Sequence, residues 1–464
     1  MSVIEAPQSP GAPAKVERTT GDLVKAAVSG WLGTAMEFLD FQLYSLAAGL
    51  VFSKLFFPEM DPNAAIIASM ATYGVGYLAR LVGAWFFGRM GDRVGRKHVL
   101  FLTIAIMGAS TTLIGVLPTY QQIGLWAGVL LMVLRLIQGF GAGAEIAGAG
   151  TMLAEYAPNN RRGLIGSLVA LGTNSATLIG SGVWALLLWA ISEEDLLDWG
   201  WRIPFLCSAV VMILAIWIRL SLKESPVFEE REDVVDGKAL SSKELKEKAK
   251  TDSAISEALK QRKGKAFFIA LGLRFGQAGN SGIIQTYLAA FLTGTLLLPG
   301  TIPTTAIMIS SIVGFATVPL VGWASDHFGR RKMYLIFVIA AIVLAVPCMY
   351  FIGTATVETF VFTVVFIVLI HNVAVLSWFS LETITMAELF GARSRFTQLG
   401  LAKEVAGVLT TALGPVIAAS LMAAFHAWWI LAVLIIFYSL ITLVAAVAMP
   451  EVAGRDLTRL EDAI

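Results

Sequence analysis

The chain has 464 residues, of which 57% are hydrophobic and only 14% charged, with a mean hydropathy of +0.75. That balance excludes an ordinary soluble domain and indicates a polytopic membrane protein. The net charge of +1 says little by itself, and no nucleic-acid partner is expected.

Residues 1–22 are polar and contain Pro and Gly, without the short apolar core and small-residue cleavage site of a signal peptide, so they predict a disordered cytoplasmic tail. Apolar stretches of the roughly 20 residues needed to cross a bilayer follow near 27–52, 64–88, 98–117, 121–155, 164–191 and 201–222. Together they define a first six-helix bundle over 23–222. A Lys- and Glu-rich segment, 223–265, comes next. Its Ser241 to Leu259 part is read either as an amphipathic helix on the membrane surface, with Leu245, Ile255 and Leu259 as apolar contacts, or as a solvated linker. Six more stretches, near 266–294, 303–324, 333–352, 356–389, 396–424 and 427–449, define a second bundle over 266–450, and 451–464 forms a second cytoplasmic tail. With both termini inside, 28 of the 34 Lys and Arg residues fall on the cytoplasmic side, which fixes the orientation by the positive-inside rule. Cys207 and Cys348 lie in predicted spans, too far apart for a motif, and are expected to be packing thiols with no disulfide, metal or cofactor site.

The two halves look like copies. Gly88-Arg-Met-Gly-Asp92-Arg-Val-Gly95-Arg96 recurs as Gly322-Trp-Ala-Ser-Asp326-His-Phe-Gly329-Arg330 at an offset of 234, and Glu155 with Arg162 recurs as Glu388 with Arg395 at an offset of 233. Duplication in a membrane protein indicates a pathway between two similar bundles. The repeated loops read as tight cytoplasmic turns. Asp92 is placed to accept hydrogen bonds from a helix N-terminus across the bundle interface, and Arg96 to reach Glu155. Asp326, Arg330 and Glu388 would act symmetrically, giving a cytoplasmic gate of Asp92, Arg96, Glu155, Arg162, Asp326, Arg330, Glu388 and Arg395.

Ionisable groups inside apolar stretches cost about 2.5–3.5 kcal/mol each on insertion scales, so those retained need a partner or a wet cavity. Glu37 and Asp40, at i and i+3, should share a face of the first span and act as a proton-carrying pair, with Arg80 of the second span as counter-ion. In the fourth span Arg135, Gln138, Ala142 and Glu145 fall on one polar stripe expected to line a cavity. The second half carries Arg274 and Asn280, then His371, Asn372 and Glu382, then Lys403 beside Glu404. Lys403 is read either as a cation for a substrate carboxylate or as locally neutralised by Glu404, and His371 either as a core residue or as a titrating switch.

At these residues the chain resembles the major facilitator superfamily, over all twelve spans. Within it, Gly33-Thr-Ala-Met-Glu37-Phe-Leu-Asp40-Phe41, Tyr73-Gly-Val-Gly-Tyr-Leu-Ala-Arg80 and Arg135-Leu-Ile-Gln138-Gly through Glu145 are similar to the metabolite:proton symporter family, whose members carry shikimate, α-ketoglutarate, citrate, proline or betaine. The likeness implies an all-α fold of two six-helix bundles related by a pseudo-twofold axis. It also implies proton symport of a small organic acid or similar polar metabolite by a monomer in the bacterial cytoplasmic membrane. Glu37, Asp40, Arg80, Arg135 and Glu145 would couple the proton, and Tyr44, Tyr73, Gln138, Asn174, Arg274, Asn280, His371 and Lys403 would contact substrate. Leu81, Ala144 and the Phe38-Leu39 pair depart from the family pattern beside the cavity, and the absence of a long coiled-coil tail after Ile464 weakens a betaine reading. Two alternatives remain, a proton-coupled exporter and a low-flux nutrient sensor. No phosphate-cradling Gly-x-x-x-x-Gly-Lys-Ser/Thr loop supports a primary pump, and none of the four His residues has the partners of a membrane enzyme.

Overall fold

The computed structural model describes residues 19–60, 62–231, 233–235, 238–260 and 264–464. Helix 1 is Thr20–Ala47, helix 2 Pro62–Val94, helix 3 Arg96–Gly115, helix 5 Arg162–Ala190 and helix 6 Arg202–Leu220. Helix 4 runs in two pieces, Trp126–Ala142 and Glu145–Tyr156. In the second half, helix 7 is Lys265–Ser281, helix 8 Thr301–Phe328, helix 9 Arg330–Gly353 and helix 12 Trp429–Ala448. Helix 10 (Phe360–His371 and Ser377–Leu389) and helix 11 (Arg395–Gly407 and Gly414–Phe425) are each interrupted by a wide turn, Asn372–Leu376 and Val408–Ala412. Similar wide turns, Ala48–Phe52 and Gly282–Tyr287, follow helices 1 and 7. Such bulges re-aim the side chains on either side of them.

Among the described residues nine helices are long and apolar enough to cross a membrane. Helices 1, 2 and 7 fall outside that set, and they carry Glu37 with Asp40, Arg80 and Arg274. Large apolar side chains such as Trp189 (85% exposed), Val444 (71%) and Val210 (69%) stand on the outer surface, where only lipid would accept them.

The packing repeats with the sequence. Helix 1 lies on 5 as 7 lies on 11, 3 on 6 as 9 on 12, and 2 on 4 as 8 on 10. Across the interface, 2 meets 11 as 8 meets 5. These matched pairs give two six-helix bundles related by a pseudo-twofold axis.

Helix 1 starts inside the predicted 1–22 tail because Thr19 and Asp22 form a capping box: Thr19 Oγ1 accepts from the Asp22 N–H (3.2 Å) and Asp22 Oδ2 from the Thr19 N–H (3.1 Å). Residues 1–18 of that tail lie outside the described residues. The linker is not a single surface helix, and it is solvated on one side only. Ser242–Lys248 and Ser253–Lys260 are separate helices, and Leu245 (3% exposed) and Ile255 (1%) are buried in one apolar cluster with Val227, Ala266 and Leu273. The side chain of Leu259 lies outside the described residues.

The 451–464 segment is a strap rather than a free tail. It crosses the turn between helices 10 and 11 through Ala392 N–H to Arg459 O (2.8 Å) and Ala463 N–H to Leu389 O (2.8 Å).

Candidate functional site

A cavity lies between the bundles. The first bundle lines it with Glu37, Phe38 and Phe41 of helix 1, Tyr77 and Arg80 of helix 2, Ile146 of helix 4 and Thr173 of helix 5. The second contributes Arg274, Gln277 and Ser281 of helix 7, Gln285 of the turn after it, Phe379 of helix 10, and Glu404 and Thr411 from helix 11 and its turn.

Arg80 is the hub. Its Nη2 lies 2.6 Å from Glu37 Oε1, its Nε donates to Glu404 Oε2 (2.6 Å), and Nη2 also donates to Glu404 Oε1 (2.8 Å). One guanidinium therefore joins helix 1 to helix 11 of the opposite bundle. Phe41 and Tyr77 stack 5.3 Å apart, and the Arg80 guanidinium carbon sits 5.1 and 5.4 Å from their centroids, a cation–π seat on the cavity wall. On the other wall Arg274 Nη1 donates to Glu382 Oε2 (3.1 Å) and also bonds Gln277. Its Nε is buried without a hydrogen-bond partner among the described residues.

Several expected site residues lie elsewhere. Asp40 does not pair with Glu37 in the cavity; it accepts from Thr111 Oγ1 (2.6 Å) and Gln138 Nε2 (3.1 Å) inside the first bundle. Arg135 bonds Gln138 and stacks over the Tyr44 ring at 3.8 Å, so Arg135, Gln138 and Tyr44 belong to that internal network rather than to the cavity lining. Glu145 leaves the Arg135 stripe because helix 4 breaks at Gly143 and Ala144. It accepts from Thr103 Oγ1 (2.8 Å) and is ion-paired to Arg219 of helix 6. Arg219, counted by sequence among the cytoplasmic anchors, is fully buried.

Lys403 does not face the first bundle either. It bonds Glu382 Oε1 (2.5 Å), while Glu404, its neutraliser in the second of the two readings, turns to Arg80. Asn280 contacts Ala374 O (3.4 Å) and Ser439 Oγ (3.3 Å) inside the second bundle. Asn174 lies against Gly314 of helix 8, while its neighbour Thr173 reaches the cavity. His371 is one residue removed: its ring bonds Ser310 Oγ (2.6 Å) and Gln285 Nε2 (2.7 Å), and Gln285 lines the cavity. The side chain of Tyr73 lies outside the described residues. Of the expected groups, the cavity thus holds Glu37, Arg80 and Arg274. The uncharged Thr173, Gln277, Ser281 and Gln285 gave no signal in the sequence.

The repeated motif assembles at the end of the molecule that carries the basic loops, here called the basic face. Asp92 accepts from the Phe396 N–H (3.2 Å), the Thr397 N–H (2.9 Å) and Thr397 Oγ1 (2.6 Å), and Asp326 accepts from the Gly163 N–H (2.7 Å) and the Leu164 N–H (2.9 Å). Each aspartate thereby caps the first turn of a helix in the other bundle. Gly88 and Gly322 let the backbones meet, since a Cβ at 88 would lie 2.7 Å from Thr397 Cα and one at 322 would lie 2.6 Å from Gly163 O. Gly95 and Gly329 turn the chain at φ +101° and +95°.

Arg96 Nη2 donates to Glu155 Oε1 (3.1 Å), which also accepts from Arg395 Nη1 (2.8 Å); Arg330 Nε donates to Glu388 Oε2 (2.9 Å), and Arg162 Nη1 to Glu388 Oε1 (3.0 Å). The Arg395–Glu155 and Arg162–Glu388 pairs both cross between bundles, so the basic face is shut.

Two further acids follow the same symmetry and were not anticipated. Glu224 accepts from the N–H groups of Arg96 (2.8 Å) and Lys97 (3.1 Å), and Glu451 from those of Arg330 (2.8 Å) and Arg331 (3.2 Å), at the N-termini of helices 3 and 9.

A profile described as "Sugar (and other) transporter" matches residues 32–463, and the chain belongs to that family. It is 53% identical over 425 residues to the protein YdfJ of Escherichia coli (strain K12), covering 92% of this chain and 96% of that one. The shikimate transporter of the same organism is 32% identical over 428 residues (92% and 94% covered), and its proline/betaine transporter 32% over 450 residues (94% and 85%). Among solved structures, the major facilitator superfamily proton:xylose symporter XylE bound to 6-bromo-6-deoxy-D-glucose superposes with a TM-score of 0.76. The identity is 17%, and 96% of this chain and 99% of that one are covered. That likeness establishes the major facilitator fold. The protein is a multi-pass membrane transporter and not an enzyme.

Proposed function

We propose that the protein is a proton-coupled importer of a small organic acid or similar polar metabolite, working by alternating access in the bacterial cytoplasmic membrane with both termini inside. The observation that carries this reading is a cavity with charges of both signs on facing walls of two bundles: Glu37 and Arg80 on one side, Arg274 and Glu404 on the other. Arg274 suits a carboxylate, because its guanidinium keeps a buried Nε donor in excess and planar forks bind carboxylates in two-pronged fashion. Phe38, Phe41, Tyr77 and Phe379 supply apolar walls for a carbon skeleton. The names of the shikimate and proline/betaine relatives support the substrate class, and XylE's description as a proton symporter supports the coupling.

In this reading the shut basic face is the state that receives substrate from outside. Proton and substrate enter, the bundles rock about the cavity, the Asp92, Asp326, Glu155 and Glu388 contacts part, and the cargo leaves inward. Each positive charge carried inward gains roughly 2.3 kcal/mol per 100 mV of membrane potential.

The test is purified protein in liposomes containing a pH dye, offered shikimate, citrate, α-ketoglutarate or glycine betaine in turn. Acidification of the lumen on adding one of them, lost in Arg274→Gln, is expected. Accumulation without proton movement, or alkalinisation on uptake, would overturn the reading.

A further inference from the structure

The charges around the cavity divide unevenly. Two carboxylates, Glu37 and Glu404, share the single guanidinium of Arg80, whereas two cations, Arg274 and Lys403, share the single carboxylate of Glu382. Ionised, the first group carries one negative charge in excess and the second one positive. All six side chains are largely withdrawn from solvent, with exposures of 13% or less. A proton therefore has a place at the first group and an anionic carboxylate at the second. Binding both restores the neutrality of the empty cavity.

Only one member of the acidic group must move away. Glu37 and Arg80 belong to the same bundle and can stay paired as the bundles rock. Glu404 belongs to helix 11 and reaches Arg80 across the seam between helices 2 and 11, which is held further along by Asp92 on Phe396 and Thr397. Opening the basic face parts that seam. An ionised Glu404 drawn off Arg80 would be a buried carboxylate with no cation of its own, because neighbouring Lys403 is bonded to Glu382. A Glu404 that has taken a proton from cavity water leaves as a neutral acid, and the Arg80–Glu37 pair behind it is also neutral.

We propose that Glu404 carries the transported proton and that its protonation releases helix 11 from helix 2; this rests on the reading of the protein as a proton symporter. The charged and titratable groups around Glu404 agree with that role. From helix 2 it meets Arg80, with Tyr77 beside it in the cavity; Glu37 comes from helix 1, Arg274 from helix 7 and Glu382 from helix 10. Lys403 is on its own helix. The acids of the packed second half of helix 4 are already occupied, Glu145 by Arg219 and Glu155 by Arg96 and Arg395. Glu37, already paired with Arg80 through Oε1, has Oε2 buried without a hydrogen-bond partner among the described residues, an acceptor to spare for Arg80 as Glu404 withdraws.

The experiment needs no substrate. Arg93 and His327, exposed equivalents in the two repeated loops, are replaced by Cys in a Cys207→Ser background and spin-labelled, and the distance across the basic face is followed by pulsed electron resonance from about pH 8 to about pH 5. The fraction of separated bundles is expected to rise at least about threefold as the pH falls. In Glu404→Gln it should be high and flat with pH. In Glu37→Gln the response should persist, since Arg80 still holds Glu404 across the seam. Glu404→Asp should respond to pH with a larger separated fraction than the parent, and it carries the test where the Gln protein does not fold. A Glu404→Gln protein that keeps the parent's pH response, or a parent that shows none, overturns the assignment. If liposomes containing Glu404→Gln still acidify on shikimate or betaine uptake, this assignment falls while proton symport stands. If the parent protein moves no protons with any solute, both fall.

Discussion

Replacing Gly322 by Ala should open the basic face from the closed side alone. A Cβ at this position would lie 2.6 Å from Gly163 O and 2.8 Å from Ser167 Cβ, whereas ordinary contact begins near 3.4 Å, so helices 8 and 5 must part by about 0.8 Å. The obstructing atom is a backbone carbonyl that no rotamer change can move. The same displacement stretches the Asp326 bonds to Gly163 and Leu164, now 2.7 and 2.9 Å, to about 3.5 and 3.7 Å, beyond useful hydrogen-bond range. Overpacking of this size costs about 1–3 kcal/mol, or a factor of about 5–150 in the ratio of closed to open protein. Thr383, 4% exposed and wedged against Gly150 between helices 10 and 4, reports the change once replaced by Cys in a Cys207→Ser background. Its alkylation by a maleimide should accelerate by a factor in that range when Gly322→Ala is added. A rate equal to the parent's, in a protein of unchanged thermal stability, would refute the role assigned to the motif's first glycine.

Arg219→Leu is predicted to destabilise the first bundle by about 3–5 kcal/mol by stranding Glu145, and adding Glu145→Leu should recover much of the loss; a thermal melt in which the double variant is worse than the single would contradict this. Asp40→Asn should leave the binding of a transported solute nearly unchanged, because Asp40 is walled off behind Thr111 and Gln138, while slowing transport. A thermal-shift titration showing a tenfold loss of affinity, about 1.4 kcal/mol, would place Asp40 in the cavity after all. Leu245→Ala should cost about 2–5 kcal/mol of local stability in the linker, so hydrogen exchange across 242–260 should speed by at least about tenfold. Equal exchange in parent and variant would mean that the linker is not docked.

The gate was the most legible part of the sequence because its chemistry is tied to fixed spacing. Gly88, Asp92, Gly95 and Arg96 each do a separate job within three turns of chain, and the second copy at 322–330 shows which positions matter. The cavity was only half legible. Glu37, Arg80 and Arg274 stood out because ionisable groups in apolar stretches are costly, but their partners depend on angles that spacing does not resolve. Neighbours on a helix point about 100° apart, which sends Lys403 to Glu382 and Glu404 to Arg80. Even i and i+3 differ by about 60°, enough to give Glu37 and Asp40 different partners. One break at Gly143 and Ala144 turned Glu145 from a lining residue into a structural one. Arg219 was lost for another reason: an arginine at the end of an apolar stretch reads equally well as an anchor in the headgroups.

The carboxyl-terminal strap has an implication for how this transporter tolerates change. Arg162 Nη1 donates to the carbonyl of Arg455 (2.9 Å) and Arg395 Nη2 to that of Leu457 (2.8 Å), so both gating arginines grip peptide groups that every amino acid possesses. Substituting the side chain at 455 or 457 keeps each carbonyl but loosens its seat, since Arg455 donates to the carbonyls of Glu388, Leu389 and Glu461 and Leu457 is buried, whereas removing the segment takes both carbonyls away at once. Residue-by-residue scanning would therefore understate how far the gate leans on the course of its last fourteen residues.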